Sequence, residues 1–202
     1  MKLVREHINE KFTDDSDPID DMGIGPRHVI IQWFKEMNIH DRNYEIDENL
    51  NINFKTNLDF EFNPKLTSLP DNLSVDGFLD IRGTGITKLP KNLRIHGDSY
   101  MAKTQITELP SDLYIGGDYF LEFSKITKLA DNLDIMGYLD IENTPIKKLP
   151  KNLQVETHLF MRHTSIKTLP LDIKIGGRLY CDNEFKNNNK KMIQARGIIC
   201  SV

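Results

Sequence analysis

The sequence predicts a mainly β protein, a parallel β-solenoid with two short strands in each 20-residue repeat and a small α-helical cap at its N-terminal end. The first observation behind this is periodicity. From Leu66 to Phe185 six units follow one another without insertion, beginning LTSLPDNLSVDGFLDIRGTG and ITKLPKNLRIHGDSYMAKTQ. A unit this short buries its apolar side only by stacking on its neighbours. The second observation is that apolar residues fall in columns. Counting Leu66 as position one, that column reads Leu66, Ile86, Ile106, Ile126, Ile146, Ile166; position four is leucine throughout, and position ten is Val75, Ile95, Ile115, Ile135, Val155, Ile175. Such columns must face inward. The third is strand alternation: Leu73-x-Val75 and Leu79-x-Ile81 place apolar residues two apart, so each unit offers two short strands with one buried face.

Taken in chain order, residues 1–45 are expected to form a helical segment and cap. KLVREHINEKF and PRHVIIQWFKEM space their apolar residues as one helix face does, and Pro26 suits a first helical turn. Trp33, Phe34, Ile30 and Met37 are expected to cover the open end of the solenoid, where an atypical unit must shield apolar rungs and unpaired strand edges. Between the two helices, TDDSDPIDDMGIG holds five aspartates. Its spacing does not fit a twelve-residue EF-hand loop, so a solvated acidic loop is expected rather than a calcium site. Residues 46–65 read as a degenerate first repeat, with ENL and Ile52 echoing DNLSV. The six full repeats occupy 66–185. Residues 186–202 carry four basic and no acidic side chains and are expected to form a basic cap or tail exposed to solvent.

Within the repeats the remaining columns are turn chemistry. Position five is proline except at Ala130, and proline presets an extended corner that needs no donor. Position seven is Asn or Asp, whose side chains bond turn backbone. Position twelve is glycine except at Thr157, where a left-handed backbone is expected. Position nineteen is Thr84, Thr104, Ser124, Thr144 and Thr164, small hydroxyls placed to satisfy backbone groups inside a corner.

The segment L79-D-I81-R-G-T84-G-I86-T-K-L89-P90 resembles the leucine-rich-repeat core LxLxxNxLxxLP, in the short form found in bacterial effectors and in phage and gut-bacterial repeat proteins. Here Thr or Ser replaces that family's asparagine, and the first strand row is unusually regular. The resemblance implies a solenoid whose outward strand face binds partners. The effector ligases of this type carry a separate catalytic domain, for which no room follows Phe185. SDPIDDMGIG also looks like a segment recurring near the start of proteins of phages that infect gut bacteria, which would make residues 1–25 a docking tag.

Charge excludes some partners. The net charge of −4 is spread over regions of different sign, with 8 basic and 14 acidic side chains in residues 1–65, and no basic stripe interleaved with aromatics argues for nucleic acid. No apolar stretch reaches membrane-spanning length and the first residues hold no signal-peptide core, so a cytoplasmic protein is expected, in the host cytoplasm or a virion if phage-encoded. Cys181 and Cys200 are expected to be reduced thiols rather than a staple. The sequence holds no nucleophile elbow, phosphate loop or zinc-protease motif. His158 and His163 share a repeat with Arg162 but lack a third ligand at matching spacing. No catalytic residue, metal or cofactor is expected.

One column departs from architecture. Position fifteen lies between the inward residues of the second strand and should meet solvent, yet it reads Asp80, Tyr100, Phe120, Asp140, Phe160, Tyr180. Position thirteen adds Phe78, Tyr138 and His158 beside it. The corresponding outward position of the first strand, nine, reads Ser74, Arg94, Tyr114, Asp134, Gln154, Lys174. Rungs about 4.8 Å apart would turn the aromatic column into a strip of the kind that marks contact surfaces. Substantially exposed rings at Tyr100, Phe120, Phe160 and Tyr180 would fit a binding face; stacking for sheet stability is the competing reading. The expected function is therefore a non-enzymatic module that binds a protein partner through Phe78, Tyr100, Phe120, Tyr138, His158, Phe160 and Tyr180. The alternative is a structural or packaged component of a phage-like assembly, docked by its N-terminal segment.

Overall fold

A computed structural model describes residues 25–202. The first helix read from the sequence, the aspartates of the acidic loop and the docking tag up to residue 24 lie outside the described residues. What is described is a parallel β-solenoid wound from short strands. One wall is a continuous eight-stranded ladder running from Leu58–Asp59 through Leu79–Asp80, Ser99–Tyr100, Tyr119–Phe120, Leu139–Asp140, Leu159–Phe160 and Arg178–Tyr180 to Ile199–Ser201. All its neighbours are parallel, and from Leu79 to Tyr180 the register advances by one 20-residue unit per rung. The facing wall is built from the first strand of each unit, and it divides into a sheet ending at Tyr114–Ile115 and another beginning at Asp134–Ile135. A cleft of about 190 Å³ lies at that division, beside Ala130, where the proline column is interrupted.

The inward columns form one core between the walls. Leu66, Ile86, Ile106, Ile126 and Ile146 are fully buried, as are Leu79, Ile81, Leu139 and Ile141 on the second ladder. Strand direction explains why: alternate side chains point to opposite faces, and only the inner face leaves water.

Helix α1, Pro26–Glu36, starts on a proline at its first turn and buries Ile30, Trp33 and Phe34. Phe34 stacks on Tyr44 at 3.8 Å, and Trp33 meets Phe60 edge-on at 5.9 Å. The helix thus seats on the first rung. That rung uses Ile52–Phe54, paired in parallel with Leu73–Val75, while Tyr44–Ile46 runs antiparallel along its free edge.

The threonine hydroxyls at position nineteen do what their column implies, whereas the Ser124 hydroxyl is buried without a hydrogen-bond partner. Thr84, Thr104, Thr144 and Thr164 donate to the carbonyls of Ile81, Met101, Ile141 and Met161 at 2.7–2.8 Å. Asparagines of position seven also bond, but between rungs: Asn92 Nδ2 donates to Asn72 Oδ1 and Asn152 Nδ2 to Asn132 Oδ1, each at 2.8 Å.

Two expectations are corrected. The glycines of position twelve do not take the left-handed backbone; that conformation falls at position seven, in Asn72, Asn92, Asn132 and Asn152, and at position eighteen, in Gly83, Lys103, Phe123, Asn143 and His163. Position twelve is glycine because rungs touch there. A Cβ on Gly117 would lie 2.8 Å from the Gly97 carbonyl carbon and 2.3 Å from Asp98 Oδ1. The C-terminal tail is also not a solvated extension. It folds into helices α2, Asn183–Asn188, and α3, Lys190–Ala195, and then supplies the last ladder strand, Ile199–Ser201. Backbone acceptors at the solenoid's end hold it down. Asn189 Nδ2 donates to the Lys167 carbonyl at 2.9 Å, and the Arg196 guanidinium reaches the carbonyls of Pro170 and Ile173 at 2.7 and 2.6 Å. An end rung needs such donors because no next rung supplies them.

Candidate functional site

Register along the second ladder aligns Asp59, Asp80, Tyr100, Phe120, Asp140, Phe160, Tyr180 and Ser201 in one outward row. Its four rings are half-buried rather than substantially exposed. The cause is mutual cover: Tyr100 and Phe120 lie parallel at 5.0 Å, and Phe160 and Tyr180 lie parallel at 4.4 Å, each pair within 2° of coplanar orientation. A parallel in-register ladder puts like side chains face to face, so stacking and surface presentation coexist.

The flanking position thirteen packs against this row. Phe78 meets Tyr100 edge-on at 5.8 Å; Tyr138 stacks on His158 at 5.3 Å and turns its edge to Phe160. His158 serves the backbone as well: its Nδ1 accepts from the Arg178 N–H at 2.9 Å, as Asp98 and Asp118 carboxylates accept from the backbone N–H groups of Asp118 and Tyr138. That acceptor role sets His158 apart from His163, whose ring lies 3.6 Å from Asp182. The two histidines face different partners, and among the described residues no cluster of three His, Cys, Asp or Glu is arranged to hold a metal.

Sequence reasoning missed the column on the other flank, position seventeen: Arg82, Ala102, Glu122, Glu142, Arg162, Asp182. Arg82 grips Asp80 through Nε, 3.0 Å from both carboxylate oxygens, reaches Glu61 at 3.1 Å, and lies over the Tyr100 ring at 5.2 Å. Arg162 lies over Tyr180 at 5.3 Å and pairs with Glu142 at 3.7 Å. The signal was readable one residue beyond the inward end of each strand, where charge changes sign along the row.

Between the two ring pairs stands Asp140. Its Oδ1 accepts from the Glu142 N–H at 2.9 Å, and among the described residues no cation pairs with it. Burial first, and then the neighbouring Glu122 and Glu142 charges, push its carboxyl up to about 6. Glu122 is raised by burial too, and one of its carboxylate oxygens is buried without a hydrogen-bond partner. Two strand spacings, about 9.5 Å, separate the Phe120 and Phe160 backbones, and Asp140 is the short side chain between them. The arrangement is an acidic gap between aromatic walls.

The sequence matches no protein-family model and no curated protein. The fold is thus a parallel β-solenoid of about eight turns, with rungs of about 20 residues, read from its own geometry. No helix among the described residues is long and apolar enough to cross a membrane.

Proposed function

We propose that this protein is a non-enzymatic interaction module that binds a protein partner through the outward face of its second ladder. The partner presents a cationic side chain, a guanidinium by preference, to the gap at Asp140. The observation that carries this reading is the contrast between two equivalent rungs. Asp80 holds a cation of its own in Arg82, which also lies over Tyr100, whereas Asp140 stands between Phe120 and Phe160 with two carboxylates, Glu122 and Glu142, on its position-seventeen flank. A planar cation entering there meets what Arg82 meets on its rung, a carboxylate for two parallel hydrogen bonds and an aromatic face. Phe78, Tyr138, His158 and Tyr180 extend the contact surface on either side. The resemblance to leucine-rich repeats supports the same face, since there too an outward strand ladder meets partners, and a stacked ladder spaces contacts rigidly.

The test is affinity capture with the intact chain, with Asp140→Asn, with Phe120→Ser/Phe160→Ser, and with a chain lacking residues 1–25. The reading expects proteins held by the intact chain to be lost by both ladder variants while circular dichroism shows them folded, and kept by the truncated chain. Arg94→Ala and Lys174→Ala on the other wall should change nothing. Capture that survives both ladder variants and disappears with residues 1–25 would instead favour a structural component docked by its N-terminal segment.

A further inference from the structure

The C-terminal cap brings together the two cysteines of the chain, which the sequence separates by 19 positions. Cys181 ends the last rung as a fully buried inward residue; Cys200 lies in the final strand, half-buried, paired in register with Leu179. Their sulfurs are 2.7 Å apart, with no disulfide between them. The sequence reading of two reduced thiols did not place them side by side. Everything between them is the cap: α2, α3, and the Asn189 and Arg196 side chains that hold the end rung. We propose that Cys181 and Cys200 form a redox modification site, a dithiol that closes to a disulfide by exchange with a low-molecular-weight disulfide such as oxidised glutathione and so clasps the cap to the last rung.

The order of steps follows from access. Cys200 is the thiol that solvent reaches, so its thiolate attacks one sulfur of the small disulfide; a new sulfur–sulfur bond forms at Cys200, the reagent's own bond breaks, and one thiolate leaves, taking up the proton that Cys200 released. Cys181, shielded by burial, then attacks Cys200 Sγ as a thiolate. The intramolecular bond forms, the mixed disulfide breaks, and the second small thiol leaves with the proton from Cys181. Two protein thiols are oxidised and one small disulfide is reduced to two thiols. Burial and the adjacent Cys200 hold the Cys181 thiol well above its usual range, which makes the second step the slow one and speeds it in alkali. The clasp closes a loop over the whole cap, and loop closure stabilises chiefly by restricting the unfolded chain. It is independent of the partner-binding face.

The test incubates the full chain in its folded state with oxidised glutathione at mildly alkaline pH, quenches with an alkylating agent and maps the peptides. Expected is a bond between Cys181 and Cys200 within one chain, with loss of two hydrogens and no retained glutathione. Its thermal midpoint should rise by about 5 °C or more, and tryptic cleavage after Lys190, Lys191 and Arg196 should slow by about tenfold. Dithiothreitol should reverse both. Cys181→Ser should stop at a stable glutathione adduct on Cys200, and Cys200→Ser should leave Cys181 unmodified. The proposal is overturned if the intact chain keeps both thiols free, if it retains glutathione on Cys200 without bridging, if it bridges only between chains, or if the bridged form melts no higher than the reduced one.

Discussion

Ser99 and Tyr119 are register partners on adjacent rungs of the second ladder, both fully buried, and the small side chain leaves the space that the large one fills. The Tyr119 hydroxyl lies 3.5 Å from Met101 Sδ, and burial drives its ionisation far above the ordinary range. Every other residue at this position from Leu79 to Leu179 is leucine, so the pair conserves volume across two rungs rather than within each. Ser99→Leu alone should cost about 1–3 kcal/mol by overpacking. Tyr119→Leu alone should cost about 2–4 kcal/mol by leaving a void. Together they restore the leucine column, and the double variant should be more stable than the sum of its parts by at least about 1 kcal/mol. Urea midpoints of the four proteins check this; additive losses would refute the volume exchange.

Glycine at position twelve follows from contact between rungs, and the chain contains its own comparison. Gly77, Gly117, Gly137 and Gly177 each sit where a Cβ would strike Asn57, Asp98, Asp118 or His158, the side chains that accept from the next rung's backbone. Thr157 replaces glycine on the rung that follows Tyr138, which offers no such acceptor. Gly117→Ala should therefore displace the Asp98 carboxylate from the Asp118 N–H and cost about 2 kcal/mol or more. Gly25→Ala, with open space around it, should stay within about 0.5 kcal/mol of the parent. Chemical denaturation distinguishes the two.

Asp140 makes stability depend on pH in a direction opposite to that of a salt-bridged carboxylate. Its folded carboxyl is raised from 3.8 to about 6, so between those values the folded chain holds a proton that the unfolded chain has lost. This contribution is fully present below 3.8 and is lost as pH rises through about 6. Asp140→Asn keeps an acceptor for the Glu142 N–H and removes the charge. At neutral pH it should be more stable than the parent by about 1 kcal/mol, a figure reduced for solvent screening, with the advantage vanishing in acid. Denaturant midpoints across that range check the sign. A bound cation would reverse it, so capture of the partner should weaken below about pH 6.

Phe34 ties the cap to the first rung, fully buried and stacked on Tyr44. Phe34→Ala should cost about 3–5 kcal/mol if the cap and solenoid unfold together. Hydrogen exchange should then rise first at Ile52–Phe54, the strand beneath it. Unchanged protection there would make the helix an independent appendage.

Much of this molecule is legible in one dimension because each rung repeats the same contacts. A period of 20, inward columns at positions one, four and ten, and hydroxyls at position nineteen determine the solenoid, its two strands per turn and the corners that Thr84 and its equivalents brace. Local alternation and spacing suffice for that. The aromatic row at Tyr100, Phe120, Phe160 and Tyr180 was legible too, but whether rings stand free or cover one another depends on the register between rungs, which no single repeat contains. The same holds for position twelve: glycine suggests a turn when read along the chain, and only the rung beneath shows that backbone contact demands it. Asp140 differs from Asp80 through the residue two places on, Glu142 in place of Arg82, and the difference acquires meaning only once the ladder sets both carboxylates at equivalent sites. The C-terminal segment lies outside the period altogether. Its composition left a basic cap or tail open, and only the tertiary structure shows its course, because the last rung's unpaired carbonyls and strand edge require donors that Asn189, Arg196 and the strand Ile199–Ser201 supply, bringing Cys200 onto Cys181 as they do so.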